Sequence, residues 1–529
     1  MKKNMFKKML ALLLALAMLF SLAACGLFGG DNGYYSDDDD DDDDRPSKKE
    51  TVAATESIET EPTEPAAPAD ELSDPNLRYV MVYNPKIYDE NAAYDRSGLS
   101  VGTFGSQVDP MGNRGDGLES EDTFTSISQG DFMQNFPQNI EVEGDRADPM
   151  GRDYRLNQVR TFVVGGDFSR RTQQSFRCAY VGQNCYIWVP ATGADVSQAA
   201  IKAGQEFDSK IYQPLVNSFG QPRFVGVTGK VNLVFYNMGN SLLGYFSPAE
   251  LLTEAEMPYF GITNTSDYNS GDALVHININ FLGTGNAKYD EMTYSTMAHE
   301  FQHLLNFSAA MQTSPFAMMN TWINEAFSGY IEDQLYAGAK ETAGQLNSFN
   351  TSELIRNGQS LYNFTTGSND IGVYGSVYYF TQYLKSIAGS AVFSDITTYW
   401  RESYSSTLSV PEALAKAVSS SVYSKIDNSI NYSGLNLKFN NDSEEWMSKL
   451  TLNFYLNMLS NSSRISAFNS IDRDALLYDS IDGAKIEGGG RIIVALSDTT
   501  FKIPEGSDNG LIYVGLDENF KPITDFIYG

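Results

Sequence analysis

YSTMAHEFQHLLNFSAAMQTSPFAMMNTWINEAFSGYIED, residues Tyr294–Asp333, is the stretch around which the chain is organised. Within it, HEFQH places His299 and His303 four residues apart with Glu300 between them. Residues four apart on a helix lie one above the other, so both imidazoles can reach one ion from the same face. Glu300 lies a step round that face and can hold a water bound to the ion. A catalytic zinc takes three protein ligands and keeps a fourth position open. Glu325, in the second helical run WINEAFSGYIED, is the expected third ligand. Its neighbours are largely apolar, and an ionised carboxylate among them needs a partner that a cation supplies. Glu332 and Asp333 are alternative ligands. Glu332, two turns after Glu325 on nearly the same face, could instead accept a bond from a ligand imidazole or simply face solvent. The chain has three histidines in all, and two of them stand at this spacing. Histidines that only packed a helix would be expensive substitutes for apolar residues. One zinc ion per chain is the expected cofactor.

The chain has 529 residues, 37 Lys+Arg and 67 Asp+Glu, for a net charge of −30. That balance argues against nucleic acid or anionic lipid as a partner. Residues 1–24 read as a processing segment, with Lys2, Lys3, Lys7 and Lys8 ahead of the apolar run MLALLLALAMLFSL. The run is shorter than the roughly 20 residues of a spanning helix. It ends in Leu22-Ala23-Ala24-Cys25-Gly26, which resembles the lipobox of bacterial lipoproteins. The resemblance implies cleavage before Cys25, a lipid on that cysteine, and a protein anchored to the bacterial membrane facing out of the cytoplasm. Residues 25–76 include eight consecutive aspartates, Asp37–Asp44, and the run ESIETEPTEPAAPADELSDPN, and read as a flexible, self-repelling tether.

An α+β body follows. Leu77–Asn84 is a strand, but the rest of 77–156 is turn-rich and short of apolar periodicity, and reads equally as an irregular extension, a linker or a propeptide remnant. Residues 157–250 are β-rich, with VRTFVVG and SFRCAYVGQNCYIWVP alternating around glycine turns. Cys178 and Cys185 flank Tyr180–Gln183, so a hairpin would set them opposite each other, and export permits a disulfide. A helix or two over Ala194–Phe219 precedes strands at Lys230–Met238 and Ala273–Asn280. His276 lies in the second of these, either packed on the sheet or near the metal. Residues 251–345 hold the active site, with the motif helix running from about Asp290 to Phe307 and the next helix capped at Asn320-Thr321. A helical subdomain, 346–470, includes the tyrosine-rich Val373–Gly389, Val410–Val418 and Glu444–Leu459. A small β module, 471–529, closes the chain with GGRIIVAL, TTFKIP and GLIYVGL. Hydrolysis at a carbonyl needs a donor for the developing oxyanion, and Tyr374 is the expected one, with Tyr378 and Tyr379 as alternatives.

AHEFQHLLNF, WINEAFSGYIED, YGSVYYFTQYL, FDSKIYQPLVNSFG and GYFSPAEL together resemble the hyicolysin family of bacterial secreted metallopeptidases, within the thermolysin-like, glutamate-liganded zincins. The resemblance spans roughly residues 160–459. It implies a zincin-like domain with a mixed or antiparallel sheet and active-site helices. It also implies that His299, His303 and Glu325 bind zinc and that Glu300 is the catalytic base. Thermolysin has a histidine-supporting aspartate four residues after the ligand glutamate; here that position is Gly329, with Ser328 or Glu332 as possible substitutes. The implied activity is endopeptide hydrolysis, with a protein or peptide as substrate and the chain acting as a monomer. The rival reading is a silent zincin scaffold serving as a surface binding or adhesion lipoprotein.

The lipobox generates a direct test. Cys25→Ser should shift the protein from the membrane fraction to the medium or trap its precursor, and an unchanged membrane fraction would remove the anchor.

Overall fold

The structure is a computed structural model. It describes residues 71–529 apart from 88–94, 110–152, 166–170, 194, 225–227, 240–241, 314–315, 317, 338, 340–344, 365–371, 404–442, 462, 481, 524–526 and 529. The expected signal peptide, Cys25 and nearly all of the tether lie outside the described residues, as does the helix expected at Val410–Val418. Strands β1 (Glu71–Ser73), β2 (Tyr79–Tyr83) and β3 (Leu99–Ser100) open the described chain, and their partners come from its far end.

A six-stranded sheet carries the next part: β4 (Val159–Val164), β5 (Thr172–Val181), β6 (Cys185–Pro190), β7 (Val231–Tyr236), β8 (Gly244–Phe246) and β9 (Leu274–Asn278). Their order is β4-β5-β6-β7-β9-β8. β4, β5 and β6 pair antiparallel, β6, β7 and β9 run parallel, and β8 turns back antiparallel on β9 as the last strand. VNLVFY and LVHIN are buried throughout, as suits central strands covered on both faces. The pleat sorts their side chains. Val231, Leu233, Phe235, Val275 and Ile277 join the main core under the helices. Val234, Tyr236 and Leu274 join a second core with Phe162, Phe176 and Trp188 on the far face.

This sorting overturns the expected disulfide. Cys178 pairs with Trp188 across a register shift between Cys178 and Tyr180, while the carbonyl of Cys185 accepts from Gly182 N at 2.8 Å in the turn. Cys178 packs in the far-face core and Cys185 in the main core, so the sheet lies between the thiols. Both are free and buried. Spacing alone suggested opposed cysteines, but a bulge shifts the face on which every later side chain lies.

On the main-core face, α1 (Ser197–Glu206) runs through a π-helical turn, Phe207–Ile211, into α2 (Tyr212–Phe219). The short α3 (Pro248–Leu251) precedes β9. The motif helix α4 (Ala287–Ala310) begins a turn earlier than expected, where the Asn286 side chain accepts from Lys288 N and satisfies an otherwise orphaned donor. After it come α5 (Thr321–Leu335), α6 (Gln345–Thr351), α7 (Glu353–Arg356), α8 (Gly372–Ala388), α9 (Val392–Ser403) and α10 (Ser443–Ser460). α4 packs on β8 and β9, on α2 and on α5, and α8 packs on α5. Trp322 anchors the start of α5, edge-to-face with Tyr362 at 4.9 Å and Phe380 at 5.9 Å. Each such pair contributes roughly 0.5–1.5 kcal/mol beyond burial. No helix among the described residues is long and apolar enough to cross a membrane.

Strands β10 (Lys485–Ile486), β11 (Arg491–Ala495), β12 (Thr500–Lys502), β13 (Ile512–Leu516) and β14 (Ile527–Tyr528) were expected as a terminal module. Their main sheet has the order β11-β2-β13-β14, with β2 in the middle, and β1 and β3 pair with β12 and β10. YVMVY is apolar along almost its whole length and needs a neighbour on each edge, which only the far end of the chain provides.

The two-faced placement of the cysteines predicts their chemistry. In unreduced protein both Cys178 and Cys185 should resist a thiol reagent while folded and label fully once denatured. Failure to label after denaturation without reductant would restore the bridge.

Candidate metal centre

His299 and His303 stand on consecutive turns of α4, their rings edge-on at 4.6 Å between centroids. Glu325 reaches them from α5, with Oε2 3.2 Å from His299 Nε2 and Oε1 3.5 Å from His303 Nε2. Two polar ties set the register of these helices. Ser295, one turn before His299, donates from Oγ to Glu332 Oε1 at 3.1 Å. Asn306, three residues after His303, donates to Asn324 Oδ1 at 2.6 Å, beside Glu325.

One ligand atom from each of His299, His303 and Glu325 lies within 4.8 Å of the others. His303 Nε2 and Glu325 Oε2 are buried and make no hydrogen bond. Buried polar atoms are nearly always bonded, so converging orphans call for a common partner. Ligand bonds of about 2.0–2.1 Å in a tetrahedron put ligand atoms about 3.3 Å apart, close to the separations seen here, and the nitrogen and oxygen donor set suits zinc. The local field points the same way. Burial works to raise the Glu325 carboxyl, yet the two histidines overcome it and hold it at about 2. Burial opposes protonation of His299, but Glu332 and Glu325 outweigh it and raise its pKa well above the usual value. Glu300, in the turn between the histidines, is pushed up to about 7, chiefly by burial.

Glu332 braces His299 from the side away from Glu325. Its Oε2 lies 3.3 Å from His299 Nδ1, which leaves Nε2 facing Glu325. The support that Gly329 cannot give thus comes from one turn later. Ser328, the other substitute considered, donates instead to the backbone oxygen of Glu325 at 3.0 Å. Asp333 turns elsewhere, accepting from the Tyr378 hydroxyl at 3.0 Å and from Gln382 at 3.1 Å. Tyr374 lies near the start of α8, buried, with its ring edge-to-face on Phe364 at 4.9 Å. Tyr379 shares a 2.9 Å hydrogen bond with Ser470. His276 is not in the metal group; it lies on the far face of the sheet, 2.8 Å from Glu250.

The strand beside the site is β8. A Cβ on Gly244 would fall 2.8 Å from Thr296 Cγ2 and 2.8 Å from the carbonyl oxygen of His276, so only glycine lets α4 lie this close. Phe246, at the other end of β8, is 6.1 Å from Phe307 between ring centroids. Thr296, Glu300 and Phe307 share one stripe of α4, being four and then seven residues apart. β8 therefore runs along the Glu300 side of the helix.

No protein-family model matches the chain. It is 29% identical over 257 residues to the neutral metalloprotease ShpI of Staphylococcus hyicus, a match covering 46% of this chain and 55% of the relative. The chain thus matches about half the length of that protein. Two solved structures give looser likenesses. Yeast LTA4 hydrolase in complex with bestatin aligns at 12% identity and a TM-score of 0.28, over 46% of this chain and 38% of that one. A two-domain M1 zinc metallopeptidase bound to L-arginine aligns at 11% identity and a TM-score of 0.25, over 50% and 49%. Scores this low bear no weight for fold or activity.

The geometry separates a ligand from its support. Glu332→Ala should weaken zinc binding about 10- to 100-fold while the fold survives, and Glu325→Ala should weaken it more. Chelator competition with each variant checks the order; equal loss from both, or none from Glu325→Ala, would reassign the third ligand.

Proposed function

We propose that the chain is an extracytoplasmic zinc endopeptidase of the hyicolysin type, held to the membrane by a lipid on Cys25. The observation that carries this reading is the convergence of His299, His303 and Glu325 with buried, unbonded ligand atoms, beside a second buried carboxylate, Glu300, whose Oε2 also lacks a partner. Distant homology to a neutral metalloprotease supports it. Three protein ligands leave room for water or a substrate carbonyl, as catalytic sites require and structural sites do not.

In this reading His299, His303 and Glu325 hold the ion, and Glu332 keeps the His299 ring in orientation. A zinc bound there would lower the pKa of a water on it toward neutrality and polarise the scissile carbonyl. Glu300 takes the proton of the attacking water at its unbonded oxygen and hands it to the leaving amine. Tyr374 keeps the oxyanion role, near the start of a helix that Tyr378 ties to Asp333 at the end of α5. The substrate is a protein or peptide chain. A silent scaffold would have no use for a buried carboxylate with an unbonded oxygen next to the ligand group, which is why the enzyme is preferred over the binding protein.

Glu300→Gln separates the two. The variant should hold a full equivalent of zinc and melt like the parent, while cleavage of an unfolded protein substrate falls at least about 10²- to 10⁴-fold. Parent-like cleavage by the variant would remove Glu300 as the base, and a zinc-loaded parent that cleaves nothing would favour the binding protein.

A further inference from the structure

The far face of the six-stranded sheet holds a polar set that the metal chemistry does not use. His276 Nε2 lies 2.8 Å from Glu250 Oε2, and both side chains are fully buried. Glu250 Oε1 accepts from Asn269 Nδ2 at 2.7 Å. Asn269 also brackets Val163, accepting from its N–H and donating to its carbonyl, each at 2.8 Å. Val163 belongs to β4, at the opposite edge of the sheet from β8. Arg160 of the same strand is ion-paired with Asp272, just ahead of β9. The Tyr236 hydroxyl lies 3.0 Å from both the carbonyl of Gly165 and the hydroxyl of Tyr245. The segment between β7 and β9, which carries β8, is thereby bound across the sheet to β4.

A buried carboxylate and histidine are a poor source of stability, because desolvation offsets their attraction and an apolar pair of like volume does as well. Here the network is not even saturated: His276 Nδ1 and Ser247 Oγ, both buried, make no hydrogen bond. What the pair does determine is position. Tyr245 is the cross-strand partner of His276 and lies flat on its imidazole, 4.1 Å between centroids and 10° between planes. Its chain neighbours Gly244 and Phe246 meet the metal helix at Thr296 and Phe307, either side of Glu300.

We propose that His276 and Glu250 are positioning residues for the peptidase site: gripped from behind at Tyr245, β8 is held as the wall of the cleft along the Glu300 side of α4. This rests on the metallopeptidase reading above. The role is to place the wall on which substrate lies, with no part in holding the ion or moving a proton. Removing the grip should therefore raise KM and leave kcat and zinc content nearly intact.

The test uses the whole zinc-loaded protein and the double variant His276→Leu/Glu250→Leu, which removes both partners and strands neither charge. Expected are a full equivalent of zinc, a cooperative melt, amide exchange at Gly244–Phe246 faster by about tenfold, and KM raised about five- to tenfold with kcat within about twofold. His276→Gln, whose amide still reaches Glu250, should restore KM. If the double variant does not fold, His276→Asn, whose amide falls short of Glu250, carries the same comparison. An active parent matched in KM by a folded, grip-deficient variant would overturn the positioning role alone. A zinc-loaded parent that cleaves nothing would instead overturn the peptidase reading on which it rests.

Discussion

Three buried carboxylates within two packed helices are the constraint on which the rest of this structure turns. Glu300, Glu325 and Glu332 are all buried, and His299 and His303 are the basic side chains that face Glu325 and Glu332. Burial of ionised carboxylates is prohibitive unless each is paired. Glu332 is paired, through Ser295 and His299. Glu325 keeps one unbonded oxygen, Oε2, and His303 an unbonded Nε2, both within the same group of converging ligand atoms. A divalent cation would satisfy both at once, so the residues themselves, and not the motif alone, support the metal-centre reading.

Such a site tolerates little slack between α4 and α5, and the surrounding sequence removes it. Ser295 with Glu332 and Asn306 with Asn324 bracket the histidines, so a slip of either helix by one residue would break both bonds. Trp322, wedged between Tyr362 and Phe380, fixes the start of α5, and Asp333 binds α8 at its end. On the other side Gly244 admits α4 to the sheet at a distance no larger residue permits.

What was legible in the sequence was what depends on local periodicity. The placement of His299, Glu300 and His303 follows from 3.6 residues per turn, and Glu325 from a carboxylate stranded in an apolar run. The helix over 197–219 and the buried strands VNLVFY and LVHIN follow from pattern in the same way. Features set by pairing across long separations were not legible. One bulge put Cys178 and Cys185 on opposite faces, which no count of intervening residues reveals. β2 finds its neighbours more than four hundred residues away, at Arg491–Ala495 and Ile512–Leu516. The pairing of Glu250 was not legible either, because its partner His276 is 26 residues distant and the two meet only when β8 folds back on β9.

β9 shows how the two faces of the sheet depend on each other. Val275 and Ile277 lie in the main core beneath the helices, and His276 between them turns to the far face. Its imidazole supports Tyr245 there, while its carbonyl oxygen is one of the atoms that leave Gly244 no room for a side chain. A single residue thus limits β8 from the backbone and grips it from the side chain. Displacing β8 toward the helix meets Thr296, and displacing it away breaks the ring stack and the bond to Glu250. The strand beside Glu300 has one position that satisfies both, so the distance between α4 and the sheet is set by two opposed contacts and not by hydrophobic packing alone, which is non-directional.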